Sequence, residues 1–204
     1  MKTVIFDMYG VIIKDPEGGL MPFVNGILPG LTFNDVYFPH WIEACEGNLS
    51  SLDFFGNIGF KGDLAKLEKE YLDTIEIDKS FYEAAPVISK YYRLALLSND
   101  VSEWSGYLRG KFEINGFFDV IIISGDVKIK KPDVQIFNLM LEKLGQTAAD
   151  CIYIDDRRRN LAAAKSLGME TILFNSRNVD YDGKTVSNFY ELADMLTNAC
   201  SVCE

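Results

Sequence analysis

The chain has 204 residues, with 30 acidic and 20 basic side chains and a net charge of −10. Such a surface repels nucleic-acid phosphates and anionic lipid, which excludes both as bulk partners. Hydrophobic residues make up 48% and charged residues 25%, the balance of a globular protein that buries its core without disulfides or a structural metal.

Residues 3–6 (TVIF) open the chain as a short apolar run and predict a buried strand. No secretory leader precedes it, and no apolar stretch is long enough to span a bilayer, so a cytoplasmic location is expected. From about residue 15 to 83 no strand run occurs. Helical pieces rich in Phe, Tyr and Leu fall near 33–46, 50–58, 63–73 and 79–91, after Gly18-Gly19 and Pro29-Gly30. Strand runs resume at 93–98, 119–124, 151–154 and 171–174. Between them lie helical patterns. Residues 101–113 follow the capping pair Asn99-Asp100, and 132–144 carry Pro132 in the first turn and end at Gly145. Residues 157–167 end at Gly168. This alternation predicts an α/β fold, a Rossmann-like parallel sheet with helices on both faces. Residues 1–14 and 84–204 would form the core domain, and 15–83 an inserted α-helical domain.

Cys45 and Cys151 sit in apolar settings and read as reduced core residues. Cys200 and Cys203 form a C-x-x-C pair without a second pair to face it, and only His40 could add an imidazole. The pair reads as two exposed thiols of a frayed tail rather than a zinc or redox site.

Chemistry gathers at the predicted strand ends. Asp7 closes the first strand, and Gly10 permits a tight turn that aims the following amides into the same space. Ser98 and Asn99 close the second, Lys131-Pro132-Asp133 follows the third, and Asp155-Asp156 closes the fourth. In open parallel sheets, ligands bind beyond these carboxyl ends. Clustered carboxylates repel one another, and a hard divalent cation held by oxygen resolves the conflict.

The ordered set D-x-x-G-V, S-N, K-P and D-D, with Gly168-Met169 after the last helix, resembles the motif set of the haloacid dehalogenase-like (HAD) superfamily. The match runs from Thr3 to about Phe174 and skips the helical insert. The resemblance implies a HAD-like core and a mobile helical cap of the C1 type. It implies that Asp7 is a nucleophile forming a covalent aspartyl intermediate. Ser98 would hold the transferring group, with the Asn99 backbone nearby, and Lys131 would neutralise Asp7 and an anionic substrate. Asp7, Asp156 and the main-chain carbonyl of Tyr9 would hold Mg²⁺, with Asp155 behind them. Tyr9 and Gly10 would belong to the loop around the substrate's oxyanion. The partner implied is a small, phosphorylated anion.

Phosphatases of the superfamily carry a second Asp two residues after the nucleophile, where this chain has Tyr9. That acid protonates the leaving group, and such help is worth about 10²–10⁴ in rate. Three readings stay open: a Mg²⁺-dependent phosphatase with altered acid–base chemistry, a metal-independent 2-haloacid dehalogenase, and a non-catalytic binding protein. The dehalogenases carry D-x-Y-G-T, close to Asp7-Met8-Tyr9-Gly10-Val11, but lack the paired acids and have a Tyr where this chain has Phe137. The insert's basic residues include no Arg to grip a substrate carboxylate; they are Lys61, Lys66, Lys69 and Lys79. Arg157, Arg158 and Arg159 read as a solvated helix start. Asp15, Phe23, His40 and Trp41 are candidates for substrate selection, His40 more as a packed or surface residue than as an acid.

Overall fold

The computed structural model describes residues 1–14 and 19–201. Asp15, Gly18, Cys203 and the side chain of Cys200 lie outside the described residues. Six strands form one parallel sheet: β1 Thr3–Phe6, β2 Arg93–Ser98, β3 Val120–Ile123, β4 Cys151–Asp155, β5 Glu170–Phe174 and β6 Lys184–Val186. Their order is β3-β2-β1-β4-β5-β6. β1 is central, with Val4 opposite Leu94 on one side and Ile152 on the other. Both of its faces are covered, which is why all four residues are buried.

Strand alternation divides the core in two. Val4 and Phe6 point into one apolar cluster, and Ile5 points into the other. On the first face Phe6 meets Phe81 and Phe189, both at 6.2 Å between ring centroids. On the second, Phe137 meets Tyr153 at 5.2 Å. Such pairs add about 0.5–1.5 kcal/mol beyond the area they bury.

Among the described residues, five helices follow β1: α1 Leu20–Ile27, α2 Phe33–Val36, α3 Ile42–Cys45, α4 Ser51–Asn57 and α5 Leu64–Asp73. A single π-helical turn, Tyr37–Trp41, joins α2 to α3. Side chains start three of them: Thr32 and Asp35 form a capping box on α2, Ser50 accepts from the Asp53 amide, and Asp63 accepts from the Lys66 amide. Among the described residues, no strand of the sheet comes from this stretch. The next helix, α6 Ser80–Ile88, is cut by the expected domain boundary at 83/84. Phe81, Ala84, Ala85 and Ile88 repeat at i, i+3, i+4 and i+7 and are buried as one face. That face meets the sheet and the long C-terminal helix, so α6 packs with the core layers.

The remaining helices are α7 Ser102–Lys111, α8 Ser124–Val127, α9 Val134–Leu144, α10 Arg158–Ser166 and α11 Phe189–Ser201. Two predicted starts differ. Asn99 and Asp100 do not cap α7, whose N-cap is Val101, because the Asn99 side chain is bonded elsewhere. Pro132 stands before α9 rather than in its first turn, because Asp133 is the cap and accepts from the Gln135 amide at 2.9 Å. The strand β6 and the helices α1, α8 and α11 lie outside the predicted elements.

α7 ties the helical insert to the sheet. Trp104 is fully buried, with ring centroids of Trp41, Phe54, Phe55 and Tyr71 at 5.1–5.8 Å. Its indole N–H donates to Glu68 at 2.7 Å. The Lys111 ammonium donates to the carbonyls of Leu72, Asp73 and Ile75, each at 3.1 Å, where the end of α5 leaves carbonyls without helical partners. The insert expected to act as a mobile cap is thus tied to α7 by an indole and an ammonium, and elsewhere to the core by Ser124 Oγ donating to the Cys45 carbonyl and by the Lys130–Glu46 ion pair. Among the described residues, no helix is long and apolar enough to cross a membrane.

Candidate active site

Asp7 leaves β1 with its amide still paired to the carbonyl of Ile154, at 2.9 Å. Its Oδ1 accepts from the Met8 amide at 2.7 Å and from the Lys131 ammonium at 2.7 Å. The loop then closes tightly: the amides of Ile12 and Ile13 both bond the carbonyl of Met8. Gly10 has φ +79°, and a Cβ there would stand 2.6 Å from Asp156 Oδ2. Glycine is required twice, for backbone sign and for the approach of a carboxylate.

Lys131 is 1% exposed. Besides Asp7, its ammonium donates to Asp155 Oδ2 at 3.0 Å and to the Leu97 carbonyl at 2.9 Å. It also lies 5.7 Å from the ring centroid of Tyr153. The Asn99 carboxamide fixes the Lys131 backbone in both senses, accepting from its amide and donating to its carbonyl, each at 2.8 Å. The Asn99 side chain thus fixes the Lys131 backbone in place. Ser98 is fully buried, and its hydroxyl has no partner among the described residues. It does not line the adjoining cavity, although Asn99 does.

The paired acids have unlike surroundings. Asp155 accepts from Lys131, Tyr153 Oη, the Arg157 amide and the Asn160 carboxamide. Asp156 is met at Oδ2 by the guanidinium groups of Arg177 and Arg157. Burial pushes the Asp155 carboxyl up, but Lys131 and these hydrogen bonds outweigh it and bring it below the ordinary carboxylate range. Burial pulls the Lys131 ammonium down, and Asp155 with Asp7 more than offsets this. These two stay an ion pair. For Asp7, burial raises the carboxyl well above its usual range against the pull of Lys131, and Asp155 and Asp156 add to the rise. Burial also raises Asp156, against Arg177. Oxygens of Asp7, Asp155 and Asp156 lie within 4.8 Å of one another. This is a hard, all-oxygen donor set that a divalent cation of the Mg²⁺ type fits.

A cavity of about 800 Å³ opens over this floor. Tyr9, Lys130, Arg157, Arg159, Asn160 and Arg177 line it from the core, and Phe33, Tyr37, Phe38, Trp41 and Tyr71 from the insert. Of the residues expected to select substrate, Trp41 lines it, while Phe23 packs on Phe55 and Tyr71 and His40 lies elsewhere. Arg157 and Arg159 reach the cavity rather than standing only in solvent. Tyr153, Asn160 and Arg177 were not expected here. Tyr153 had a signal, since strand period 2 puts it on the same face as Asp155. Arg177, from the loop after β5, had none beyond the convergence of strand ends.

A family model for haloacid dehalogenase-like hydrolases matches residues 1–168. The chain belongs to this family. Among curated relatives of the hydrolase, D-ribitol-5-phosphate phosphatase of Bacteroides thetaiotaomicron is 26% identical over 189 residues, covering 84% of this chain and 90% of the relative. Other curated relatives are much longer, and the chain spans 13% of one and 18% of another. A HAD family enzyme of Bacteroides thetaiotaomicron, solved with magnesium and inorganic phosphate, superposes with a TM-score of 0.76 at 19% identity, covering 89% of this chain and 98% of that one. The L-2-haloacid dehalogenase of Xanthobacter autotrophicus gives 0.69 at 16% identity, covering 97% and 98%. These superpositions place the hydrolase in the fold.

Proposed function

We propose that the hydrolase is a Mg²⁺-dependent phosphatase of a small phosphorylated metabolite, with Asp7 as nucleophile. The observation that carries this is the buried Lys131 ammonium shared by Asp7 and Asp155, beside an Asp156 whose charge also faces the site. The phosphatase name of the relative that aligns along nine tenths of its length supports it. Residues 1–14 and 80–204 would be the catalytic core and 15–79 the cap.

Asp7, Asp156 and the Tyr9 carbonyl would hold the cation, which supplies charge neutralisation and orientation when bound. The remaining steps belong to side chains. Met8 and Lys131 hold Asp7 Oδ1, which fixes the carboxylate that would attack phosphorus. An O–P bond forms and the bond to the leaving oxygen breaks, dividing one displacement into two. Lys131, fixed by Asn99 and Asp155, faces the charge on the phosphoryl oxygens. Water then attacks phosphorus, inorganic phosphate leaves, and Asp7 is restored. The test is hydrolysis of p-nitrophenyl phosphate with Mg²⁺. Activity that persists in EDTA, or survives Asp7→Asn, overturns the reading.

A second reading rests on Tyr9 and Arg177. A 2-haloacid dehalogenase needs no proton for its leaving halide, and Arg177 already offsets Asp156 without a cation. Halide release from 2-chloropropionate without added metal would establish it.

A further inference from the structure

We infer, on the phosphatase reading, that the substrate is a small aryl phosphate whose leaving group is an aromatic alcohol. Two independent features lead there. The first is the wall of the cavity. Among the described residues, the insert contributes no carboxylate, carboxamide or imidazole to it. It contributes aromatic rings, of which Phe33 and Tyr37 stack at 4.5 Å. Phe33 is 54% exposed and Phe38 60% exposed, although both face the cavity that ends on Asp7. A polyol placed against this wall would lose hydration without gaining equivalent hydrogen bonds. A flat aromatic group would cover the rings and stack on them.

The second feature is chemical. When Asp7 attacks, the P–O bond breaks and its electron pair leaves with the oxygen. Tyr9 occupies the position from which the family's acid would protonate that oxygen. Among the described residues, the carboxylates lining the cavity are Asp7 and Asp156, the nucleophile and a proposed cation ligand. With no further carboxylic acid among the described lining residues, a leaving group that departs as an oxyanion and takes its proton from water afterwards is favoured. A phenol ionises near pKa ~10, far below a water-like hydroxyl. The aromatic alcohol is the one that leaves unaided.

The test compares kcat/KM, with saturating Mg²⁺, for phenyl phosphate, 1-naphthyl phosphate, glycerol 3-phosphate, ribitol 5-phosphate and glucose 1-phosphate. The two aryl esters should exceed the others by at least about 10²-fold, the size of the acid catalysis that is missing. Phe38→Ala should raise KM for 1-naphthyl phosphate more than for phenyl phosphate. Tyr9→Asp should raise kcat for glycerol 3-phosphate at least about tenfold and narrow the gap. A polyol or anomeric phosphate that matches the aryl esters overturns the inference and leaves the phosphatase reading standing. No hydrolysis of any of the five overturns both.

Discussion

The Lys131 ammonium lies 2.7 Å from Asp7 Oδ1, with 1% and 9% of the two side chains exposed. Neither charge is solvated, so each depends on the other. Asp155 completes the arrangement on the far side of the ammonium, at 3.0 Å. Lys131→Met should leave two buried carboxylates facing an apolar side chain. Breaking a buried pair in this way costs about 3–5 kcal/mol, which urea denaturation reads directly. Phosphatase activity should fall by at least about 100-fold, since a donor aimed at developing charge is lost. A variant with unchanged stability would show that the pair is not what holds the site.

Asn99 is predicted to act through Lys131. Its carboxamide makes one bond as acceptor and one as donor to the Lys131 backbone. Asn99→Ala should cost about 1–3 kcal/mol, the range for a buried bond left unmade, and should lower kcat with little change in KM. Asn99→Asp should not restore kcat, because a carboxylate cannot donate to the Lys131 carbonyl. Rescue by Asp would place the role in charge rather than geometry.

Much of this was legible before the fold was known, and the reason is geometric. A parallel sheet gathers its strand ends, so an Asp, a Lys and two more Asp at successive ends had to meet. The buried runs 3–6, 93–98 and 151–154 were unambiguous because helices cover both faces of those strands. The helix α11 was equally open to reading, since Phe189, Leu192, Ala193 and Leu196 repeat at helical spacing and are buried. The strand β6 was not: it has three residues, two of them exposed. The packing of α6 on the sheet was obscured because the insert and the core share aromatic faces. Arg177 was hidden for another reason. A loop residue acquires its meaning from where the chain returns, and no local pattern encodes that return.

Arg177 pairs with Oδ2 of Asp156, the carboxylate proposed to hold the cation, so the two would compete for it. Arg177→Gln should therefore tighten Mg²⁺ binding. Loss of a competing pair worth about 1 kcal/mol corresponds to roughly a fivefold lower Kd, measurable by titration calorimetry. Unchanged or weaker binding would show that Arg177 does not oppose the ion.

Asp100 should give stability a recognisable pH slope. Its carboxyl is fully buried, one oxygen accepts from the Val101 amide, and Oδ2 has no partner among the described residues. Burial raises it well above the ordinary range, against the Val101 hydrogen bond. A raised folded-state value means that the folded protein holds the proton more tightly than the unfolded chain. Stability should then fall as pH rises from the unfolded value near ~3.9 up through the folded one. Chemical denaturation across pH in saturating Mg²⁺ should show this fall, and Asp100→Asn should remove it from the difference between the two proteins. Parallel pH profiles would assign the slope to other groups.

The most direct test is to catch the covalent intermediate. During turnover of p-nitrophenyl phosphate with Mg²⁺, an acid quench followed by peptide mass analysis should find a phosphoryl group on Asp7 and on no other residue. Turnover without any adduct, or with the adduct on a different side chain, would contradict the assignment of Asp7 as nucleophile.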